Sequence, residues 1–551
     1  MHFFTSTQPC HARNLIFFAF FVLVGLVFNY CYFLNDHSLS SISTSLPKIP
    51  KLSTDNLRLP PAVTEFTWFT PKSKFWHDFA PLLDSAKPKC EPAKLRTKAV
   101  TAGAVAGSTY NPVNLLEMSD EDVAGMKRQH ALFLDLLSFS DLKLDFEHGT
   151  QGIVTTAGGA YFPVLLVSLL MLRRTGSTLP VEIFLQNDEE YEKLLCEDVF
   201  PKLNAKCVLL SSYLTSSRRK FHPHGYQLKI LAILFSRFED VLFLDADDFP
   251  VHPPESLFDS TVYKESGLVL WKDFWKPTFS PLFTNITSLD PSLLSSRATI
   301  EAGQMLVNRR KKGKMLMLAS YYNIYGDWYY DLISQGGPGE GDKDTFVPAA
   351  LVWNESFYTV DKSPEPLGQR GNGMAVLQFS AVDAHACDLA REANTNATTT
   401  ETKMGEKEAG RREEDAVCEA APFFIHASWP PKLNALHNVR DQRQWGSLEN
   451  ALSLFGVDVE KVAWGDMVEM ACEGELISNS TTTEQEEDRR GQGLGTGKLE
   501  FWDWGEGNKT STGVCAQTRN CFRNMFGEEY VFTDDGLDRD KSPGPNTELE
   551  R

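Results

Sequence analysis

The stretch VLFLDADDFP, residues 241–250, places three carboxylates directly after four apolar residues. The apolar residues predict a buried strand, and Asp245, Asp247 and Asp248 stand at its end. Alternate residues of an extended chain face the same way, so Asp245 and Asp247 are expected to point together. Converging carboxylates repel unless protons or a cation lie between them, and hard divalent cations prefer oxygen ligands. The spacing therefore predicts a divalent-cation site, with a solvated acidic turn as the alternative.

The chain around these aspartates alternates between short apolar segments and longer helical ones. Strands are predicted at residues 152–157, 181–186, 206–210 and 241–245, and helices at 161–175, 189–200 and 226–238. Apolar strands separated by helices indicate an α/β fold whose sheet is covered on both faces. Ligands of such sheets bind beyond the carboxyl ends of the strands. The aspartates therefore stand where a ligand is expected.

The N-terminal region contains a twenty-residue segment, Leu15–Leu34, that carries no charge. About twenty apolar residues span a bilayer as a helix. Arg13 precedes the segment and Asp36 follows it, so the positive-inside rule places the short tail in the cytosol. A cleaved signal peptide is the alternative. The pattern favours a single-pass type II membrane anchor with a lumenal catalytic domain.

The composition divides the chain into five parts. We predict a cytosolic tail at 1–14, the transmembrane anchor at 15–34, a Ser/Pro/Thr-rich lumenal stem at 35–125, a catalytic domain at 126–475 with a polar insertion at 391–415, and a polar, partly disordered C-terminal extension at 476–551.

Cysteines, sequons and charge agree with a secreted compartment. Eight cysteines and five N-x-S/T triplets follow the anchor, which suits disulfides and glycosylation, although the pairing stays open. The net charge of −19 argues against nucleic acid as a partner, because a phosphate backbone selects basic surfaces.

Lys229 lies sixteen residues before Asp245, on the helix predicted to lead into the strand. A lysine followed in this way by D-x-D resembles the glycogenin-like retaining glycosyltransferases, in which the lysine meets the donor diphosphate. From its own sequence context, Lys229 could equally extend to the surface.

A wider resemblance covers about residues 150 to 440. The segments that carry it include GIVTTAGGAYFPVLL, LFLDADDFPVHPPESLFDS, GLVLWKDFW, EAGQMLVN, GEGDKDTF and FFIHASWPPKLN. In the same order they resemble the fungal Golgi α-mannosyltransferases of glycosyltransferase family 71. The resemblance implies a GT-A-type, Rossmann-like nucleotide-sugar transferase domain, GDP-mannose as donor, a mannose-containing glycan as acceptor, Mn²⁺ or another divalent cation, and retention of configuration. It also implies residence in the Golgi membrane, with membership of a mannosyltransferase complex as one possible assembly. Asp248 departs from the pattern, which has Asn there in many relatives.

The resemblance assigns roles residue by residue. The metal ligands would be Asp245, Asp247 and His426; the donor-binding residues Gly158, Gly159, Lys229, Asp245, Gly303 and Gln304; the sugar-binding residues Trp271, Asp273 and Glu340; and the catalytic residues Asp342 and Lys343. Each has a plainer interpretation: core packing for Trp271, and an ordinary turn for the glycines.

Other functions fit the sequence less well. Haloacid-dehalogenase-type phosphatases also carry D-x-D after a strand, but there the motif opens the domain. A non-catalytic lectin or complex subunit would be expected to lose the D-x-D or the histidine. A cell-wall structural protein would carry long Ser/Thr-rich repeats. Neither the linkage, α-1,2 or α-1,3, nor the acceptor follows from the sequence, and a front-face mechanism is our hypothesis because no nucleophile stands out.

Overall fold

The computed structural model describes residues 74–100, 111–214, 221–369, 373–401, 418–429, 432–433, 442–479 and 514–527. These residues all belong to one compact unit, Lys51–Arg551. The predicted anchor, Leu15–Leu34, lies outside them. Within the described ranges, no helix has the length and hydropathy to cross a bilayer.

The described residues form thirteen strands and seventeen α-helices. The strands are β1 Lys94–Leu95, β2 Leu116–Glu117, β3 Glu147–Thr156, β4 Val181–Leu185, β5 Ala205–Leu209, β6 Phe238–Leu244, β7 Asp248–Pro250, β8 Leu268–Lys272, β9 Ile300–Asn308, β10 Tyr358–Val360, β11 Glu365–Gln369, β12 Gly373–Phe379 and β13 Pro422–His426. The helices are α1 Lys74–Ser85, α2 Asp120–Phe139, α3 Phe162–Arg174, α4 Phe200–Lys202, α5 Leu210–Tyr213, α6 Gln227–Phe235, α7 Glu255–Asp259, α8 Thr261–Ser266, α9 Pro281–Thr287, α10 Ser292–Ser295, α11 Gly313–Ile324, α12 Gly326–Ser334, α13 Phe346–Val352, α14 Ala381–Glu401, α15 Leu448–Phe455, α16 Val459–Asn479 and α17 Val514–Phe526.

A seven-stranded mixed sheet forms the centre of the fold. Its strand order is β10-β8-β9-β6-β3-β4-β5, and only the pairs that involve β9 are antiparallel. Strands β3 to β6 coincide with the four predicted strands. The α/β fold predicted from the alternation of segments is therefore confirmed.

Helices cover both faces of this sheet. On β4, Ile183 and Leu185 join the buried cluster that contains α3, whereas Phe184 joins the cluster that contains α6. Successive strand residues point to opposite faces, so a strand such as VEIFL, which carries apolar side chains on both faces, is stable only between two apolar layers.

A second, four-stranded antiparallel sheet has the order β11-β12-β13-β7. Strand β7 follows β6 after a three-residue turn, and it pairs with β13 so that Asp248 stands opposite His426. The acidic turn thus joins the two sheets. This connection brings a histidine from late in the chain to the aspartates.

The predicted domain boundaries need correction at both ends. Helix α1 buries Phe75, Trp76 and Phe79 in the core, and α2 begins at Asp120, so the stem does not extend to residue 125. In the predicted C-terminal extension, α17 buries Phe522 in the core, and its neighbour Cys515 is disulfide-bonded. The apolar side chains on these helices are covered by the core of the domain. A polar stem or extension outside the domain would leave them exposed.

Helix α14 continues through Glu401, into the predicted insertion, whereas residues 402–417 lie outside the described part. Disulfides join Cys196 to Cys207 and Cys387 to Cys418, which confirms the prediction of disulfides for these four cysteines.

Candidate active site

The turn after β6 is fixed by backbone hydrogen bonds within the turn, to strand β9 and to the residue after β13. The Asp245 N–H donates to the Gly303 carbonyl at 2.7 Å, and the Asp248 N–H donates to the Asp245 carbonyl at 3.0 Å. The Asp247 carbonyl accepts the Ala427 N–H at 2.8 Å. Strand β9 and the residue after β13 therefore hold the turn, and the positions of its carboxylates follow from the fold.

His426 lies between carboxylates on both sides of its ring. Its Nε2 is 3.3 Å from Asp247 Oδ1, and its Nδ1 is 3.0 Å from Glu301 Oε1. One ligand atom each from Asp245, Asp247 and His426 lies within 4.8 Å of the others. The structure thus brings together the three residues that the sequence predicts as cation ligands, and their two carboxylates and one imidazole suit Mn²⁺.

Lys229 connects the acidic turn to the loop before α13. Its Nζ is 3.2 Å from Asp245 Oδ1 and 3.3 Å from Asp342 Oδ2, and it donates to the Ala302 carbonyl at 2.6 Å. Burial alone would lower the pKa of Lys229, but the carboxylates of Asp245 and Asp342 outweigh burial and raise it. Lys229 is therefore a fixed positive charge at the site and does not extend to the surface.

Lys432 is a second cation at the site. Its Nζ lies 2.5 Å from Asp247 Oδ2 and 5.2 Å from the centre of the Tyr161 ring. Sequence reasoning missed this residue, although it stands in the segment FFIHASWPPKLN, six positions after His426. A single lysine after two prolines carries no pattern of its own, and its role becomes visible only through the β7–β13 pairing.

The carboxylates have unequal pKa values because their partners differ. Burial would raise the pKa of Asp247, but His426 and Lys432 outweigh it and lower that pKa. Burial raises the pKa of Asp245 to about 6, although Lys229 acts in the opposite direction. Burial also raises the pKa of Asp248 well above its usual value.

Asp248 is 1% exposed, and neither of its carboxylate oxygens has a hydrogen-bond partner among the described residues. Burying an ionised group without a partner is costly. Burial therefore favours the protonated form of Asp248 unless a cation offsets its charge, and two buried oxygens without hydrogen-bond partners fit a site that binds a cation.

The loop GEGDKDTF, residues 339–346, contributes Asp342 and Lys343. Asp342 approaches Lys229, as described, whereas Lys343 is buried and bonds elsewhere. The Lys343 Nζ is 2.7 Å from Asp273 Oδ2 and donates to Thr299 Oγ1 at 3.2 Å. The structure therefore pairs a predicted catalytic residue with a predicted sugar-binding residue. The ammonium group of Lys343 is therefore already bonded to Asp273 and Thr299.

Glu340 lies in the same loop and is half-buried. Burial, together with the neighbouring carboxylate of Asp331, raises the pKa of Glu340. No contact between Glu340 and the metal-ligand candidates is present among the described residues.

Trp271 is not a sugar platform, and this prediction is wrong. Its side chain in β8 is fully buried, its Nε1 donates to the Phe379 carbonyl at 2.8 Å, and its ring packs edge-on against Phe424. A residue can stack on a hexose only if one face of its ring is accessible. Trp271 instead joins the central sheet to the four-stranded sheet.

Two of the three predicted donor-binding glycines, Gly158 and Gly303, lie where a side chain would collide. A Cβ on Gly158 would come 2.5 Å from the carboxyl carbon of Glu190, and one on Gly303 would come 2.5 Å from His426 Nδ1. Gly159 has φ +50°, which favours glycine. Gln304 is fully buried in β9, and neither polar atom of its amide has a hydrogen-bond partner within the described ranges.

Sequence comparisons find mannosyltransferases that are similar to this chain. A family model for mannosyltransferases matches residues 150–298 and 293–388. The α-1,2-mannosyltransferase MNN21 of Candida albicans is 32% identical over 420 residues, which cover 65% of this chain and 62% of that protein. The α-1,2-mannosyltransferase MNN2 of Saccharomyces cerevisiae is 32% identical over 345 residues, which cover 55% of this chain and 56% of that protein. The chain thus spans less than two thirds of the length of these relatives. Among solved structures, mouse xyloside xylosyltransferase 1 aligns with 38% of this chain and 85% of its own, at 14% identity and a TM-score of 0.27.

Proposed function

We propose that this chain is an α-mannosyltransferase like the fungal relatives described above, and that it transfers mannose from GDP-mannose to a hydroxyl of a mannoside acceptor. The observation that carries the proposal is the convergence of Asp245, Asp247 and His426 beyond the carboxyl end of β6. That edge of an α/β sheet is where nucleotide ligands bind. The two relatives described above are named α-1,2-mannosyltransferases, so an α-1,2 linkage is the first product to look for.

The proposed cofactor is Mn²⁺ or a similar divalent cation, held by Asp245, Asp247 and His426. When bound, such a cation offsets the charge that develops on the leaving diphosphate. The chain's own residues support this assignment, because the buried carboxylates of the site include Asp248, which has no hydrogen-bond partner of its own among the described residues.

Lys229 and Lys432 would assist on two sides of the acidic turn. Each is held by one of the aspartates, Lys229 by Asp245 and Lys432 by Asp247. Both ammonium groups would attract the donor diphosphate, and their carboxylate partners fix them before the donor arrives. Fixed charges of this kind need no reorganisation during the reaction.

Asp342 would orient the donor sugar, because Lys229 holds it close to the predicted cation ligands. The salt bridge from Lys343 to Asp273 would shape the adjoining wall of the pocket. Retention of configuration and a front-face path, in which the departing phosphate oxygen takes the acceptor proton, complete the proposed mechanism. Detection of a mannosyl-enzyme adduct on a carboxylate would contradict that path.

The proposed setting is the lumenal side of the Golgi membrane, on a GT-A-type domain anchored by Leu15–Leu34. The uncharged length of that segment and the disulfides support this setting. A Golgi mannosyltransferase complex is a proposed partner. The alternative function, a lectin or complex subunit without catalysis, gives no reason for the converging ligand set.

The proposal is tested with the purified full-length protein and an Asp247→Asn variant. Each is incubated with GDP-mannose, Mn²⁺ and an α-mannobiose acceptor, and the product is analysed by mass spectrometry and linkage analysis. We expect transfer by the parent, none by Asp247→Asn, and parental transfer by Asp290→Asn, an exposed aspartate in the loop after α9. A folded parent that neither transfers mannose nor binds GDP in the presence of Mn²⁺ would refute the proposal.

A further inference from the structure

We propose that Glu301 and Gly303 form a positioning pair that sets the orientation of His426 and leaves its Nε2 facing the cation ligands. In this assignment Glu301 acts through His426 and does not itself bind the cation. The inference rests on the proposed cation-dependent function and adds residues that determine how tightly the cation is held.

The two residues are two positions apart on β9, so both face the same side of the strand. Glu301 Oε1 lies 3.0 Å from His426 Nδ1, and the Gly303 N–H donates to the same Oε1 at 3.0 Å. The backbone of β9 therefore fixes the carboxylate that meets the histidine. On the other side of the ring, Nε2 is 3.3 Å from Asp247 Oδ1.

Gly303 makes room for the imidazole. A Cβ at this position would lie 2.5 Å from His426 Nδ1 and 2.6 Å from Cε1. Contacts this short force a neighbour to move, and the ring is enclosed because His426 is only 7% exposed. A side chain at residue 303 would therefore displace the imidazole from Glu301.

The chemistry of imidazole makes this orientation consequential. A neutral imidazole binds a metal through one nitrogen, while the other nitrogen carries a proton that needs an acceptor. With Glu301 accepting from Nδ1, the lone pair of Nε2 is directed toward Asp247. Carboxylates that hold a ligating histidine in this way fix its tautomer and raise its basicity. Because the site is buried, water is a poor substitute for Glu301 as the acceptor of the Nδ1 proton.

A competing arrangement is present in the same geometry. One ligand atom each from Asp248, Glu301 and His426 also lies within 4.8 Å of the others, so Glu301 could instead bind a cation directly. The hydrogen bonds favour positioning, because Glu301 Oε1 already faces two N–H groups and a carboxylate oxygen has two lone pairs. Glu301 Oε2 has no hydrogen-bond partner in the described part of the chain, so the number of bound cations must be measured.

The experiment measures Mn²⁺ binding to the full-length protein by electron paramagnetic resonance, with Mn²⁺ alone and with Mn²⁺ plus GDP. The parent is compared with Glu301→Gln, Glu301→Ala, His426→Ala and the double variant Glu301→Ala/His426→Ala. We expect one Mn²⁺ per parent chain and a Kd raised about 10–100-fold in Glu301→Ala, the usual effect of removing such a partner. Glu301→Gln keeps an acceptor for Nδ1 and should stay close to the parent.

The double variant distinguishes positioning from ligation. If Glu301 acts through His426, the double variant binds Mn²⁺ no more weakly than His426→Ala alone, because the two losses share one interaction. Three results would each overturn the inference. The first is that the losses of Mn²⁺ affinity from the two single substitutions add up in the double variant. The others are binding of two Mn²⁺ per parent chain with one lost in Glu301→Ala, and parental affinity in Glu301→Ala. Glu449→Ala, at an exposed position in α15, serves as the control.

A further variant covers the case in which Glu301→Ala fails to fold, as judged by circular dichroism. Gly303→Ala keeps the carboxylate and displaces the ring, so it should weaken Mn²⁺ binding as Glu301→Ala would; an unchanged Kd contradicts the inference. The readout does not depend on mannose transfer. If the variants change Mn²⁺ affinity as expected but the parent transfers no mannose, only the proposed reaction is refuted. If the parent transfers mannose but the variants do not change Mn²⁺ affinity as expected, only the positioning pair is refuted.

Discussion

At the scale of single residues, the site combines positions that the sequence reveals with positions that it hides. Asp245 and Asp247 stand out because acidic residues at a strand end are unusual, and His426 was identified through the family resemblance. Lys432 and Glu301 have no comparable local signal. They act through partners more than a hundred positions away, and such contacts are set by the tertiary fold. Trp271 is the opposite case. The sequence predicted a sugar-binding residue there, but the side chain is buried in the core.

Lys432→Met should separate cation binding from donor binding. The substitution removes the charge 2.5 Å from Asp247 Oδ2 and keeps most of the side-chain length. Because the ammonium competes with a cation for Asp247, we expect Mn²⁺ alone to bind as well as in the parent or better. GDP should bind about 10–100-fold more weakly in the presence of Mn²⁺, since a hydrogen bond to a charged group contributes about 1.5–3 kcal/mol. Titration calorimetry measures both constants.

The control for this prediction is Lys362→Met, which removes an exposed lysine paired with Glu365. Exposed ion pairs contribute little, so this variant should match the parent in both titrations. Equal weakening of Mn²⁺ and GDP binding by Lys432→Met would show that Lys432 supports the fold of the site and not the donor.

At the scale of elements, the sequence predicted the strands of the central sheet better than the helices that cover it. VEIFL and VLFL carry apolar side chains on both faces and therefore indicate buried strands without further information. Helix α1 has the sequence KFWHDFAPLLDS, with Pro81 inside it, and it follows a Ser- and Pro-rich region typical of a linker. Its aromatic side chains become informative only when their partners on α2 and α6 are known.

Phe79→Ala tests whether α1 belongs to the folded domain. Phe79 is fully buried, with its ring 5.2 Å from that of Phe75 and 6.2 Å from that of Phe133. Removing a buried phenylalanine leaves a cavity, so the free energy of unfolding should fall by about 3–5 kcal/mol. Urea denaturation followed by tryptophan fluorescence measures the change. Phe139→Ala, at a position 89% exposed, should change it by no more than about 0.5 kcal/mol. Equal, small effects of the two substitutions would restore the stem interpretation.

At the scale of the whole molecule, the site depends on a connection that no local pattern contains. Strand β7 follows the acidic turn directly, yet its partner β13 lies about 175 residues later, with the polar insertion before it. Pairing of Asp248 with His426 brings β13 to the acidic turn that joins the two sheets, and β9 completes the site from the middle of the chain. Periodicity reports which residues are buried and in what kind of element, but it does not report which distant strands pair.

A ligand held by residues from β6, β9 and β13 should therefore stabilise the folded chain as a whole. A ligand that binds only the native state stabilises it by RT ln(1 + [L]/Kd), or about 2.7 kcal/mol at a hundredfold excess over Kd. For a domain of this size, that corresponds to a rise in Tm of a few degrees, on the order of 2–4 °C or less. We expect Mn²⁺ with GDP to raise the Tm of the parent, chelation with EDTA to reverse the rise, and Asp247→Asn to show no rise. Differential scanning calorimetry of the parent and the variant, each with and without EDTA, measures all four values. An equal rise in Asp247→Asn would mean that GDP binds elsewhere, and the assignment of the donor site to the end of β6 would then be wrong.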